Sequence, residues 1–188
     1  MRAFAGFVGL LVVFMLAMQS PVQAQSTLSL NQALEQQLAT NGVADPDSAT
    51  GEQLGAAIEA LVANNPSLTA GDIENLVLAA VGKNPAGYQA IALSAAKAAN
   101  SRGMGAGAIE TILGTAISAA GANGIDTTGA ADTLASAAST ATGQQISGAN
   151  VQSASNVLTN LFYVFNVADT LSLLLLLEEN PAQDASPD

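Results

Sequence analysis

The chain has no cysteine, no histidine and no tryptophan, and only four basic residues among 188. Without Cys and His, the thiol nucleophile and the side chain that moves protons near neutral pH are both missing. The nitrogen and sulfur ligands of zinc, copper and haem sites are missing with them. No disulfide can supplement a small core, so packing or partners must hold the fold. With so few cations the formal net charge is −11, which repels phosphate backbones and anionic headgroups and argues against nucleic acid as a partner. Aromatic residues make up 4% of the chain, and Tyr88 and Tyr163 are its only tyrosines, too few and too scattered for a stacked sugar-binding platform.

What chemistry remains belongs to carboxylates. Asp72 and Glu74 are two residues apart, a spacing that puts them on different sides of a helix and reads as a cap and a solvated charge, not a catalytic pair. The segment Asp45-Pro46-Asp47-Ser48-Ala49-Thr50-Gly51-Glu52 has acids at the first and third positions of a calcium loop. It lacks a ligand at the fifth and a glycine at the sixth, and Ala56 stands at the twelfth, so it reads as a turn before a capped helix. No cofactor and no metal site is implied, and the chain is expected not to be an enzyme.

The N-terminus carries an address. Arg2 precedes an apolar run from Phe7 to Met18, and Val22-Gln23-Ala24 follows Pro21 with small residues at the positions signal peptidase reads. The run is shorter than the about 20 residues of a spanning helix. A secretory signal peptide over 1–24, cleaved after Ala24, is therefore expected, with the product periplasmic or extracellular. Cleavage removes Arg2 and leaves Lys83, Lys97 and Arg102 against fifteen acids, a formal charge of −12.

The remainder is patterned for helices. Leu30, Ala33, Leu34 and Leu38 recur at helical spacing before Asn41-Gly42, which predicts a short first helix and a linker within 25–49. The opening Ser26-Thr27-Leu28-Ser29-Leu30 to Leu38 resembles the first turn of mature outer-membrane efflux proteins of the TolC type. The long coiled-coil and strand segments of that family are absent, so the resemblance implies no function here. An internal repeat follows. Thr50-Gly51-Glu52-Gln53-Leu54, with Ile58, Val62 and Asn65-Pro66, returns nineteen residues later as Thr69-Ala70-Gly71-Asp72-Ile73, with Val77, Val81 and Asn84-Pro85. Thr50 with Gln53 and Thr69 with Asp72 predict capping boxes, and Asn-Pro predicts a stop, since proline lacks the N–H of a further turn. Helices are expected over roughly 50–64 and 69–82, each with its turn forming one unit of the repeat.

Asn84 should cap a third repeat-region helix that has Pro85 at its first position, reaches about Asn100, and keeps Ile91 and Leu93 on its apolar side. A further helix carries Ile109, Ile112, Leu113 and Ile117, and a weaker one runs from Thr128 through Leu134 to Thr142. Their alanine and glycine content allows close approach of helix axes. The same stretch, Gly103 to Asn156, also reads as low-complexity and partly disordered.

Large apolar side chains concentrate in Val157 to Leu177. Leu158, Leu161, Phe162, Phe165 and Ala168 share one side, and Leu171, Leu173, Leu174, Leu175, Leu176 and Leu177 follow in a run apolar on every face. Three burials are open: the monomer's own core, a docking or self-assembly surface, or a membrane. Against the membrane stand Asp169, costing about 2.5–3.5 kcal/mol at a bilayer centre, and the lack of flanking Lys or Arg.

The expected fold is all-α, an alanine-rich bundle or short solenoid of six to seven short helices. A helical repeat domain over 50–177 ends in the apolar helix, and an acidic disordered tail follows over 178–188. The expected role is structural or interactive, as a subunit or accessory of a surface or extracellular matrix assembly. Its partner is then itself, as a homo-oligomer, or another exported protein. Two alternatives are a helical binding module for a peptide or protein, and a membrane-active effector using 157–177.

Overall fold

The computed structural model describes the backbone of residues 20–160 and the side chains of 30–160. Among these residues the fold is all-α, with seven helices and no strand. They are α1 (Ser20–Thr40), α2 (Gly51–Asn64), α3 (Ala70–Lys83), α4 (Tyr88–Ser101), α5 (Ala106–Ala122), α6 (Ala130–Thr142) and α7, described over residues 148–160. Short 3-10 turns at Pro46–Ser48 and Pro85–Gly87 precede α2 and α4. The expected signal peptide and apolar block lie wholly or mostly outside the described residues.

Local chemistry sets the helix ends. Thr50 Oγ1 accepts the Gln53 N–H at 3.3 Å while Gln53 Oε1 accepts the Thr50 N–H at 2.8 Å. Thr69 and Asp72 repeat this at 3.2 and 2.8 Å. Both capping boxes therefore close at the helices where they are expected, satisfying first-turn N–H groups that would otherwise lack partners. Asn65 and Asn84 terminate α2 and α3. Other helices stop on glycine. Gly103 (φ 73°) and Gly124 (φ 80°) take left-handed backbone after α4 and α5. This lets Met104 N–H reach Ala99 O and Ile125 N–H reach Ala120 O, each at 3.1 Å, in the Schellman pattern. Val43 N–H reaches Leu38 O in the same way after α1.

Two starts differ from expectation. The first helix begins at Ser20, where Pro21 falls in the first turn and forfeits no intrahelical bond. Asn84 caps the turn Pro85–Gly87 and not α4 itself, its Oδ1 accepting the Gly87 N–H at 3.0 Å, and α4 begins at Tyr88. The cause is contact between elements. A Cβ on Gly51 would lie 2.7 Å from Gly87 Cα, so the chain entering α4 turns tightly against the first residue of α2.

Packing follows an alternating rule. α2 lies chiefly on α4 and α3 on α5, while α1 adjoins α3 and α4 adjoins α6. A Cβ on Gly114 of α5 would come within 2.7 Å of Ala154 Cβ in α7, so α7 joins the same row. Odd-numbered helices thus form one row and even-numbered helices another, giving a short two-row solenoid. Its unit is a pair of helices, not the single helix and turn expected from the nineteen-residue repeat. That likeness joins α2 to α3, which share start and stop chemistry but belong to different rows. The row relationship is written more faintly. Leu34-Glu35, Ile73-Glu74, Ile109-Glu110 and Val151-Gln152 recur along α1, α3, α5 and α7, and the aliphatic member of each is fully buried.

The core runs from Leu34 to Val151, with Leu54, Ile58, Ile73, Leu76, Ile91, Ile112, Leu113 and Leu134 among its largest members and alanines filling between them. In α4, Ile91 is buried but Leu93 is only partly so. Two residues along a helix is about 200° of turn, so the pair cannot share a face. Ala92, Ala95, Ala96 and Ala99 take the buried positions instead, which is why α2 approaches so closely. A Cβ on Gly55 would lie 2.7 Å from Ser94 Oγ.

Candidate functional site

The buried polar contacts hold the rows together. Lys83 at the end of α3 reaches Glu35 of α1 at 3.0 Å and Asp47 of the first 3-10 turn at 2.8 Å. The hydrogen bond to Asp47, reinforced by Glu35, outweighs partial burial and raises the ammonium pKa above its ordinary value. Asn84 Nδ2 donates to Ala49 O at 3.0 Å, tying the end of α3 to the entry of α2. Gln144 Nε2 donates to Asn100 Oδ1 at 2.6 Å and to Met104 O at 2.9 Å, while Asn100 Nδ2 donates to Thr142 O at 3.2 Å. That clasp joins the C-terminal ends of α4 and α6. The Arg102 guanidinium donates to Pro66 O, closing the α2–α3 loop onto the end of α4.

Two carboxylates, neither chosen as a site from sequence, are buried by the row packing. Glu110 of α5 is 9% exposed. Its Oε1 accepts the Ser147 N–H at 2.9 Å and its Oε2 accepts Asn150 Nδ2 at 3.0 Å. Ser147 precedes α7, so a carboxylate from one helix caps the N-terminus of the next in its row, where N–H groups and the helix dipole favour negative charge. Glu74 holds the matching place in α3. The residues of α5 corresponding to Ser147 and Asn150 are Gly105 and Ala108, which have no polar side chains, and burial raises the Glu74 pKa above 4.5. Glu74 is therefore not the solvated charge expected from its spacing. The Ile-Glu recurrence and Ser147-Gly148-Ala149-Asn150 are the sequence signals that bear on both roles.

No group of three or more His, Cys, Asp or Glu that could hold a metal ion comes together among the described residues. Two depressions open on the surface. One, of about 270 Å³, is lined by Glu59 and Ala63 of α2 and by Lys97, Ala98 and Ser101 of α4. The other, of about 260 Å³, lies where α5 ends beside α7, lined by Ile117, Ser118, Gly121, Ala122, Thr127, Ser155 and Thr159. Ser118 Oγ and Thr159 Oγ1 are hydrogen-bonded at 3.0 Å at its edge.

Exposed apolar bulk is confined to one place. Among the described residues Val157, 60% exposed, is the large hydrophobic side chain left open to solvent. Leu158 is partly buried. Of the expected interaction residues, Leu161, Phe162, Phe165, Leu171, Leu173, Leu174, Leu175, Leu176 and Leu177 lie outside the described residues. The caps Thr50, Gln53, Thr69, Asp72 and Asn84 serve the fold and do not converge on a site. No helix among the described residues is long and apolar enough to cross a membrane. Comparison with protein-family models, curated proteins and solved structures finds no match.

Proposed function

We propose that the chain is an exported, non-enzymatic structural or interaction protein, a subunit or accessory of a surface or extracellular matrix assembly. The solenoid is a rigid carrier, and the C-terminal apolar block makes the contact. The supporting observation is the position of Val157: the helical body covers its other large apolar side chains, and this one stands open at the edge of the Leu-rich sequence. Contiguous exposed apolar surface is what binding partners cover. Partners of this kind are further copies of the chain or another exported protein. The acidic surface disfavours nucleic acid and anionic membranes.

A second reading, a binding module for a peptide, has the groove between α2 and α4 in its favour, with Glu59 and Lys97 available to orient a polar backbone. Fractionation followed by chemical crosslinking in the producing cells separates the two. The proposal requires processed protein outside the cytoplasmic membrane, crosslinked in complexes that disappear when 161–177 is deleted. Unprocessed cytoplasmic protein, or complexes indifferent to that deletion, overturns it.

A further inference from the structure

We propose that the depression at the end of α5 is the seat of Phe162 of this same chain, so that the first turn of the apolar block is docked on the solenoid and the Leu171–Leu177 run is held out from a fixed base. The argument begins with the register of α5 against α7. Gly114 lies under Val151, Ala154 and Ser155, and one turn on Ser118 meets Thr159. The inward side of α7 is thus Val151, Ser155 and Leu158, the first two buried and the third partly so. Helical periodicity places residue 162 next on that side. On α5 the next turn after Ser118 is Gly121-Ala122, and Thr127 closes the far wall.

Side-chain volume completes the fit. Every preceding turn of this interface pairs small with small or small with medium residues, and Gly114 touches α7 outright. At Gly121 and Ala122 the α5 surface falls away and leaves about 260 Å³, in an interface that otherwise packs without gaps. Phenylalanine is the first large ring the chain supplies after Asn160. The hydroxyls of Ser118 and Thr159 satisfy each other, so the walls offer an apolar ring no unmet polar group. A covalently attached occupant also arrives at a high effective concentration that a second copy must match in solution. The docking does not depend on whether the distal leucines assemble.

The test is nuclear Overhauser contacts in the full processed chain, between the Phe162 ring and the methyl groups of Ala122 and Thr127. Expected are intramolecular contacts that persist on dilution and are absent from the isotope-filtered spectrum of a mixed labelled and unlabelled sample. Gly121→Leu fills the depression, since a Cβ there has only Thr127 Oγ1 at 3.7 Å, and should abolish these contacts while the Glu110–Ser147 amide shift stays unchanged. Contacts appearing only in the filtered spectrum would mean that a second copy occupies the seat and would overturn the proposal. So would the absence of contacts at any concentration, or their survival in Gly121→Leu.

Discussion

Glu110 and Asn150 are joined across two helices at 3.0 Å, and the same carboxylate takes the Ser147 N–H at 2.9 Å. One side chain of α5 thereby fixes where α7 starts. Glu110→Ala removes the acceptor and leaves a partly buried helix N-terminus without its partner, a loss of about 1–3 kcal/mol. Glu110→Gln keeps one acceptor oxygen but brings an NH₂ against donors, and should lose less. Urea denaturation of both variants checks the order. Equal, negligible losses would mean that α7 docks without the cap.

The glycines should divide by what faces them. Gly51→Ala places a Cβ within 2.7 Å of the Gly87 backbone, forcing α2 and the α4 entry apart at about 1–3 kcal/mol. A Cβ added at Gly82 in α3 would meet nothing within 4 Å, so Gly82→Ala should gain about 0.5–1 kcal/mol of helix propensity. Melting temperatures that move in opposite directions are the expected result.

Asn65 and Asn84 end two helices alike in sequence, yet they do different things. Asn65 Nδ2 turns back to Leu61 O at 2.8 Å, within its own helix. Asn84 holds both Ala49 O and the Gly87 N–H. Asn84→Ala should therefore cost about 1–3 kcal/mol and Asn65→Ala about 1 kcal/mol or less, measured by the same unfolding experiment.

That contrast marks how far the sequence can be read. Thr50 with Gln53 and Thr69 with Asp72 are legible because a capping box is complete within four residues. The stops at Asn65-Pro66 and Asn84-Pro85 are legible for the same reason. Features that depend on a second helix are not. The pairing of odd with odd and even with even rests on Gly51, Gly55 and Gly114, whose absent side chains carry no hydrophobic signal. Hydrophobicity alone assigns Leu93 to the core, although alanines hold those positions. Glu110 looks like any helical acid until Ser147 is brought beside it. The Leu158 to Leu177 surface is legible as apolar, but only Leu158 of it falls among the described residues.

Glu74 gives the fold a pH dependence with a definite sign. Burial raises its pKa in the folded chain above the 4.5 of an open carboxyl, so the folded state binds the proton more tightly than the unfolded state. Stability then falls as pH rises from 4.5 through the raised folded value. Glu74→Gln should accordingly be more stable than the parent at neutral pH and indistinguishable from it near about pH 3, where both are uncharged. A Gln variant with the same offset at both pH values would show that its effect is not electrostatic.

The most direct test of the account is light scattering on the processed chain from micromolar to millimolar concentration, beside a variant lacking Leu171–Leu177. The account predicts that the parent's mass rises with concentration, while the variant keeps the same helical circular dichroism and stays monomeric. A parent chain that is monomeric throughout the range would contradict it.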